Sequence, residues 1–80
     1  MEERRKVPRQ RTFKGGTIGL DQGGSVECVV RNLSGIGACL ETARASTLPN
    51  RFPLIIKPET IKRSCEVVWR SESRVGVQFT

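Results

Sequence analysis

Short runs of alternating apolar and polar residues recur along most of this chain, and a two-residue period is typical of β-strands with one buried face. In the clearest run, Val26, Cys28 and Val30 alternate with Glu27 and Arg31. The same pattern predicts six short strands, at about residues 13–20, 25–31, 38–41, 52–57, 61–69 and 74–79.

Turn-forming residues separate these strands. Residues 21–24 are polar residues and glycines, which predict a hairpin turn, and residues 32–37 carry the polar and glycine positions of a tight turn. The stretch 42–50 has modest helical character, which Pro49 limits to one turn. We therefore predict an all-β fold: a small six-stranded antiparallel, Greek-key-like β-barrel. A closed barrel is favoured over an open sandwich because closure removes exposed sheet edges.

Length and composition fit one small domain. The chain has 80 residues, of which 36% are hydrophobic and 8 are glycines, close to the ~45–50% apolar content of soluble globular chains when glycine is included. Its longest aliphatic run is Leu54, Ile55 and Ile56, far short of the ~20 apolar residues of a membrane helix. We expect a cytoplasmic protein without a signal peptide and without a membrane partner.

Few residues here offer reactive chemistry. The sequence has no histidine and no closely spaced pair of cysteines, so zinc sites and imidazole-based hydrolysis have no support. Cys28, Cys39 and Cys65 are expected to be buried small hydrophobic residues in a reducing compartment. With no nucleophile and base to pair, we expect no enzyme activity, no cofactor and no metal.

Positive charge is concentrated near the N-terminus. The formal net charge is +6, and six basic residues lie close together: Arg4, Arg5, Lys6, Arg9, Arg11 and Lys14. Such clustering suggests an anionic partner, although a solvated basic tail has the same composition. Pro8 has no N–H and favours extended geometry at Val7. Residues 1–11 are therefore interpreted as a basic N-terminal arm and residues 12–80 as the barrel.

Arg4, Arg5 and Arg9, taken together with Asn32, Ser34 and Gly37, resemble the two-motif signature of the PilZ family. The first contains two arginines four residues apart, often preceded by another, and is matched by Arg4, Arg5 and Arg9. The second contains Asp or Asn, then Ser, then Gly, and is matched at the family's spacing by Asn32, Ser34 and Gly37. Segments 65–70 and 74–79 are similar to the family's closing strands. Many members continue as a helix where this sequence ends at Thr80, so no long C-terminal helix is expected.

The resemblance implies that the chain binds the bacterial second messenger cyclic di-GMP through Arg4, Arg5, Arg9, Asn32, Ser34 and Gly37. It also implies that the arginines hold guanine edges and phosphates while the turn motif engages another guanine. The side-chain chemistry agrees, because a guanidinium meets guanine O6 and N7 bidentately and an amide both donates and accepts. A purely structural explanation also exists, since Asn and Ser stabilise turns and glycine satisfies strand geometry.

The resulting hypothesis is a receptor whose N-terminal arm becomes ordered on ligand binding and which signals to an unidentified downstream protein. Two alternatives stay open: a degenerate PilZ protein-interaction module that does not bind nucleotide, and a nucleic-acid-binding β-barrel, which the scattered aromatic residues disfavour. Trp69 is expected in core or rim packing, although an exposed indole beside the site would stack on a base. Arg70 and Arg74 are expected to be solvated.

Overall fold

Six antiparallel strands form a closed barrel. The computed structural model of the chain describes residues 10–80, with side chains from Phe13 onward. The strands are β1 (Gln10–Gly19), β2 (Ser25–Leu33), β3 (Gly37–Glu41), β4 (Arg51–Ile56), β5 (Ile61–Arg70) and β6 (Arg74–Phe79). They are hydrogen-bonded in the order β1-β2-β3-β6-β5-β4, and β1 pairs with β4 to close the barrel. The predicted six-stranded antiparallel barrel is confirmed.

The alternating sequence pattern becomes an alternation between the barrel interior and its surface. In β2, Val26, Cys28 and Val30 are buried whereas Glu27 and Val29 are exposed. Each well-buried aliphatic side chain contributes ~1.5–3 kcal/mol relative to its exposed state. The interior of the described residues is filled by Ile18, Val26, Cys28, Val30, Leu40, Ala45, Leu48, Phe52, Leu54, Ile56, Cys65, Val75 and Val77.

The connection from β3 to β4 crosses one end of the barrel. It contains one 3-10 turn, Ala45–Thr47, and no α-helix occurs among residues 10–80. Within that described part, no helix has the length and apolarity to cross a membrane. Arg70 holds the connection in place: its Nη1 donates to the carbonyls of Ala45 (3.1 Å) and Leu48 (2.8 Å), and its Nη2 donates to Asn50 Oδ1 (2.9 Å). Arg70 is thus a structural residue, and the expectation of a solvated side chain is wrong.

A β-bulge in β5 changes which side chains face the interior. The register with β6 shifts between Val67 and Trp69, so that Val68 and Trp69 are both exposed, by 56% and 49%. The expectation of core packing for Trp69 is therefore wrong, because the extra residue interrupts the two-residue period on which it rested; the half-exposed indole packs on the outer face against Gly76. Arg70 consequently pairs with Val75, a core residue, and reaches the connection at the end of the barrel.

The three cysteines do not share one environment. Cys28 and Cys65 are buried, as predicted, but Cys39 is only half-buried. Burial raises the pKa of the Cys28 thiol to about 12, with a smaller contribution from the Glu27 carboxylate. Burial likewise raises the pKa of Cys65 to about 11. Both thiols therefore stay protonated and inert near neutral pH.

Candidate functional site

A row of four residues crosses the outer face of the barrel in register. Asn32 pairs with Cys39, Cys39 with Gly76, and Gly76 with Trp69. Leu40, the next residue along β3, is fully buried, so its neighbour Cys39 and the rest of this row face outward. Adjacent strands lie about 4.8 Å apart, so the row extends roughly 14 Å from end to end. These four residues are called the outer row below.

The two middle positions of the outer row, Cys39 and Gly76, have a small side chain or none. A Cβ atom added at Gly76 would collide with the indole of Trp69, which shows that the indole lies over this glycine. Cys39 separates Gly76 from Asn32. The row therefore has the Asn32 amide at one end, a half-exposed indole that covers Gly76 at the other, and the small Cys39 side chain between them. A flat aromatic ligand matches this shape.

Asn32 lies beside the strand that leads to the N-terminal arm. Its partner in β1 is Arg11, two residues after Arg9 in the sequence. The Asn32 side chain is half-buried, and no group of residues 13–80 hydrogen-bonds to its amide. The amide can therefore donate and accept toward a ligand on the outer face without first breaking a contact to that part of the chain.

The Ser34 hydroxyl is occupied by its own turn. It accepts hydrogen bonds from the backbone N–H groups of Ile36 and Gly37, both at 3.2 Å, and donates to the Gly37 carbonyl at 3.3 Å. A hydroxyl has one donor and two acceptor positions, so these contacts use its full capacity. The Ser34 N–H also donates to the Gly37 carbonyl, at 2.9 Å. A ligand contact from Ser34 thus requires the exchange of one of these bonds.

Gly37 is required by the approach of β6. A Cβ atom at this position would collide with the backbone carbonyl oxygen of Val77, and backbone cannot move aside as a side chain can. Gly37 pairs with Gln78, whose amide donates to Glu66 at 3.4 Å. The glycine of the motif therefore has a structural reason that is independent of any ligand.

The three motif arginines cannot be located on this surface. Arg4, Arg5 and Arg9, together with most of the arm assigned to residues 1–11, lie outside the described residues. Their predicted contacts with a ligand, and the boundary between arm and barrel, stay predictions.

Cross-strand register adds residues that the sequence did not single out. Cys39 and Gly76 form the middle of the outer row, and Arg31, beside Asn32 in β2, forms a 2.8 Å ion pair with Glu41. Sequence alternation showed which residues share a face of one strand but not which residues are neighbours on the next strand. Among the described residues, no cluster of His, Cys, Asp and Glu could hold a metal ion.

Comparison with known families agrees with the geometry. A family model described as the PilZ domain matches residues 3–80, which include the motif arginines and the turn. PilZ domains are a cyclic di-GMP-binding family. No curated protein gives a significant match. The match over nearly the whole chain, on a closed antiparallel barrel, shows that the chain belongs to the PilZ domain family.

Proposed function

We propose that this chain is a receptor for cyclic di-GMP and that the ligand binds on the outer row and the adjacent turn at residues 34–37. The observation that carries the proposal is the position of Asn32: its amide faces the outer surface beside Arg11, where the sequence leads to Arg9 and Arg5. An extended chain spans ~3.3–3.6 Å per residue, so the maximum reach from Arg11 is roughly 7 Å for Arg9 and roughly 21 Å for Arg5. These reaches cover the outer row.

The ligand contacts follow from the chemistry of the side chains. The guanidinium groups of Arg5 and Arg9 bind guanine O6 and N7 or the phosphates, and Arg4 adds a phosphate contact. The Asn32 amide binds the polar edge of a guanine. Two bidentate contacts and two stacked bases contribute together ~4–12 kcal/mol, against the ~8 kcal/mol of a micromolar complex.

The outer row contributes shape to this proposal. A guanine lying on Cys39 has the Trp69 indole, which covers Gly76, beside it for stacking. Ser34 and Gly37 support the site by holding the turn and the β3–β6 contact in place. Ser34 contacts the ligand only by exchanging a turn hydrogen bond.

The proposed output is a change of surface and involves no covalent chemistry. Bound ligand draws the arm residues onto the outer face of the barrel, and a downstream protein in the cytoplasm binds the combined surface of arm and ligand. The affinity is expected to be low micromolar or weaker, because ordering a segment on binding costs ~2–5 kcal/mol.

Calorimetric titration with cyclic di-GMP tests the proposal. We expect saturable binding by the wild-type chain, no heat with GTP, and binding at least tenfold weaker for Arg9→Ala, since each bidentate contact is worth about 1–3 kcal/mol. Lys6→Ala is the matched control, because it removes a positive charge from the arm outside the motif. No heat and no rise in melting temperature at millimolar ligand would overturn the receptor function.

One observation favours a second candidate, a protein-interaction module that does not bind nucleotide. The contacts of Ser34 and Gly37 account for both residues by barrel packing alone. This candidate is supported if the wild-type chain is folded and gives no response to cyclic di-GMP. An oligonucleotide titration in parallel distinguishes a nucleic-acid-binding barrel, whose affinity falls steeply with salt.

A further inference from the structure

Arg31 lies at a position where two bulges coincide. The β1–β2 register shifts between Arg11 and Lys14, and the β2–β3 register shifts between Val30 and Asn32. Arg31 consequently has no Cα partner on either neighbouring strand, and Phe13 is one of the two β1 residues opposite it. The two bulges lie between the regular part of β1 and its first residues, Gln10 and Arg11, which pair with Leu33 and Asn32.

Two side chains hold the Arg31 guanidinium. Its Nη1 lies 2.8 Å from Glu41 Oε1, and its Cζ lies 4.9 Å from the centre of the Phe13 ring. Phe13 is 74% exposed, more than any other large hydrophobic residue of the described chain. An aromatic ring this exposed gains little from burial, and its stack on Arg31 contributes about 0.5–1 kcal/mol.

The same contacts make Arg31 unsuited to gripping a phosphate. Glu41 balances its charge, and Phe13 covers one face of the guanidinium. The stack instead ties β1 to β2 at the bulge, next to Asn32 and four residues after Arg9 in the sequence. A fixed contact at the bulge restricts the register of the first residues of β1, Gln10 and Arg11, against β2.

We propose that Phe13, Arg31 and Glu41 form a latch that fixes the N-terminal end of β1 against β2 and thereby positions Arg9, two residues before Arg11, for the ligand. Arg31 is a positioning residue in this arrangement. The inference rests on the proposed receptor function, and it adds residues that lie outside both sequence motifs.

A double-mutant cycle with cyclic di-GMP tests the latch. Phe13→Ala removes the aromatic ring, and Arg31→Lys removes the planar guanidinium that stacks on it while keeping the positive charge. We expect each to raise Kd about two- to fivefold with little change in melting temperature. Arg9→Lys loses the bidentate contact but keeps the positive charge. If Phe13 acts by positioning Arg9, then Phe13→Ala in this Arg9→Lys background should change ln Kd by less than about half as much as it does in the wild type. Ile61→Ala and Arg44→Lys are the controls, because both residues are exposed and neither belongs to the latch.

The outcomes separate the latch from the receptor function. If the wild-type chain binds and the latch variants bind equally well, the latch is wrong and the receptor function stands. If Phe13→Ala weakens binding by the same factor in both backgrounds, Phe13 acts independently of Arg9 and the latch is again wrong. If Arg31→Lys retains full affinity while Arg31→Gln loses it, charge and not stacking matters, which overturns the positioning role. A wild-type chain that does not bind overturns both proposals.

Discussion

The indole of Trp69 lies so close to Gly76, its partner in β6, that a β-carbon on the glycine would overlap the ring. Glycine is therefore needed at this position as space for the indole. Trp69 is still 49% exposed, so it is held on one side and open to solvent on the other. It is also the single tryptophan of the sequence, which makes its fluorescence a direct report on the end of the outer row.

Gly76→Ala is expected to displace the indole without unfolding the barrel. The colliding atoms belong to an exposed side chain that can rotate into solvent, so the unfolding free energy should fall by no more than about 1 kcal/mol. The tryptophan emission should shift to the red because the indole becomes more hydrated. Fluorescence spectra and urea titrations of wild type and variant measure both. An unshifted spectrum would show that the indole does not rest on Gly76.

Gly37→Ala is expected to damage the fold itself. Its Cβ would meet the Val77 carbonyl oxygen, so the β3 and β6 backbones must separate, and we expect a loss of about 1–3 kcal/mol in unfolding free energy. Gly15→Ala is the matched control, since no heavy atom lies within 4 Å of an added Cβ there. Urea titration measures both variants. Equal stabilities would contradict the close approach of β6 to Gly37.

Asn32 and Ser34 belong to one motif but should respond differently to substitution. Asn32→Ala removes an amide without a hydrogen-bond partner in residues 13–80, so stability should change by less than about 0.5 kcal/mol while Kd for cyclic di-GMP rises about tenfold. Ser34→Ala removes three turn contacts, and we expect a loss of about 1 kcal/mol in stability together with weaker binding. Thermal unfolding and calorimetry on the same preparations measure both quantities. A destabilised Asn32→Ala would indicate that Asn32 supports the barrel.

The strands and the barrel followed from the sequence because the interior of a small barrel imposes a two-residue period that survives in single strands. Residues 52–57, 61–69 and 74–79 were predicted within one residue of β4, β5 and β6. The start of β1 was placed at Phe13, three residues after the observed Gln10, because residues 10–12 are polar and carry no alternation.

The errors arose where the register changes. The bulge between Val67 and Trp69 leaves no mark in composition, yet it exposes Trp69 and turns Arg70 toward the end of the barrel. The outer row could not be predicted from the sequence for a related reason. Asn32 and Trp69 are 37 positions apart in the sequence, and they lie in one row only because four strands pair between them. The turn at Ser34 was predicted because its signal is local.

Arg70→Ala should destabilise the barrel without affecting ligand binding directly. The side chain donates to the carbonyls of Ala45 and Leu48 and to Asn50, and hydrogen bonds from charged groups are worth ~1.5–3 kcal/mol. We expect a loss of about 2–3 kcal/mol in unfolding free energy, measured by urea titration. Arg74→Ala, at an exposed arginine four residues later, should change it by less than about 0.5 kcal/mol. Equal losses in the two variants would argue against the role of Arg70 in holding the β3–β4 connection.

The three thiols should differ in reactivity, and the pKa shifts fix the direction. Burial raises the pKa of Cys28 to about 12 and that of Cys65 to about 11 from a usual value of 9.0, so at about pH 8 both remain thiols while the protein is folded. Cys39, half-buried on the outer row, should react first with a chromogenic disulfide reagent. In Cys39→Ser the fast phase should disappear, and the two remaining thiols should react at the rate of unfolding. In the unfolded chain the pKa of each thiol is near 9.0, below its value in the folded protein. The contribution of these two thiols to the unfolding free energy is therefore fully present below pH 9.0. It is lost as the pH rises toward 11 for Cys65 and 12 for Cys28. Equal reaction rates for the three thiols in the folded wild type would contradict the burial of Cys28 and Cys65. Saturating cyclic di-GMP should slow the reaction of Cys39 if the ligand covers this residue.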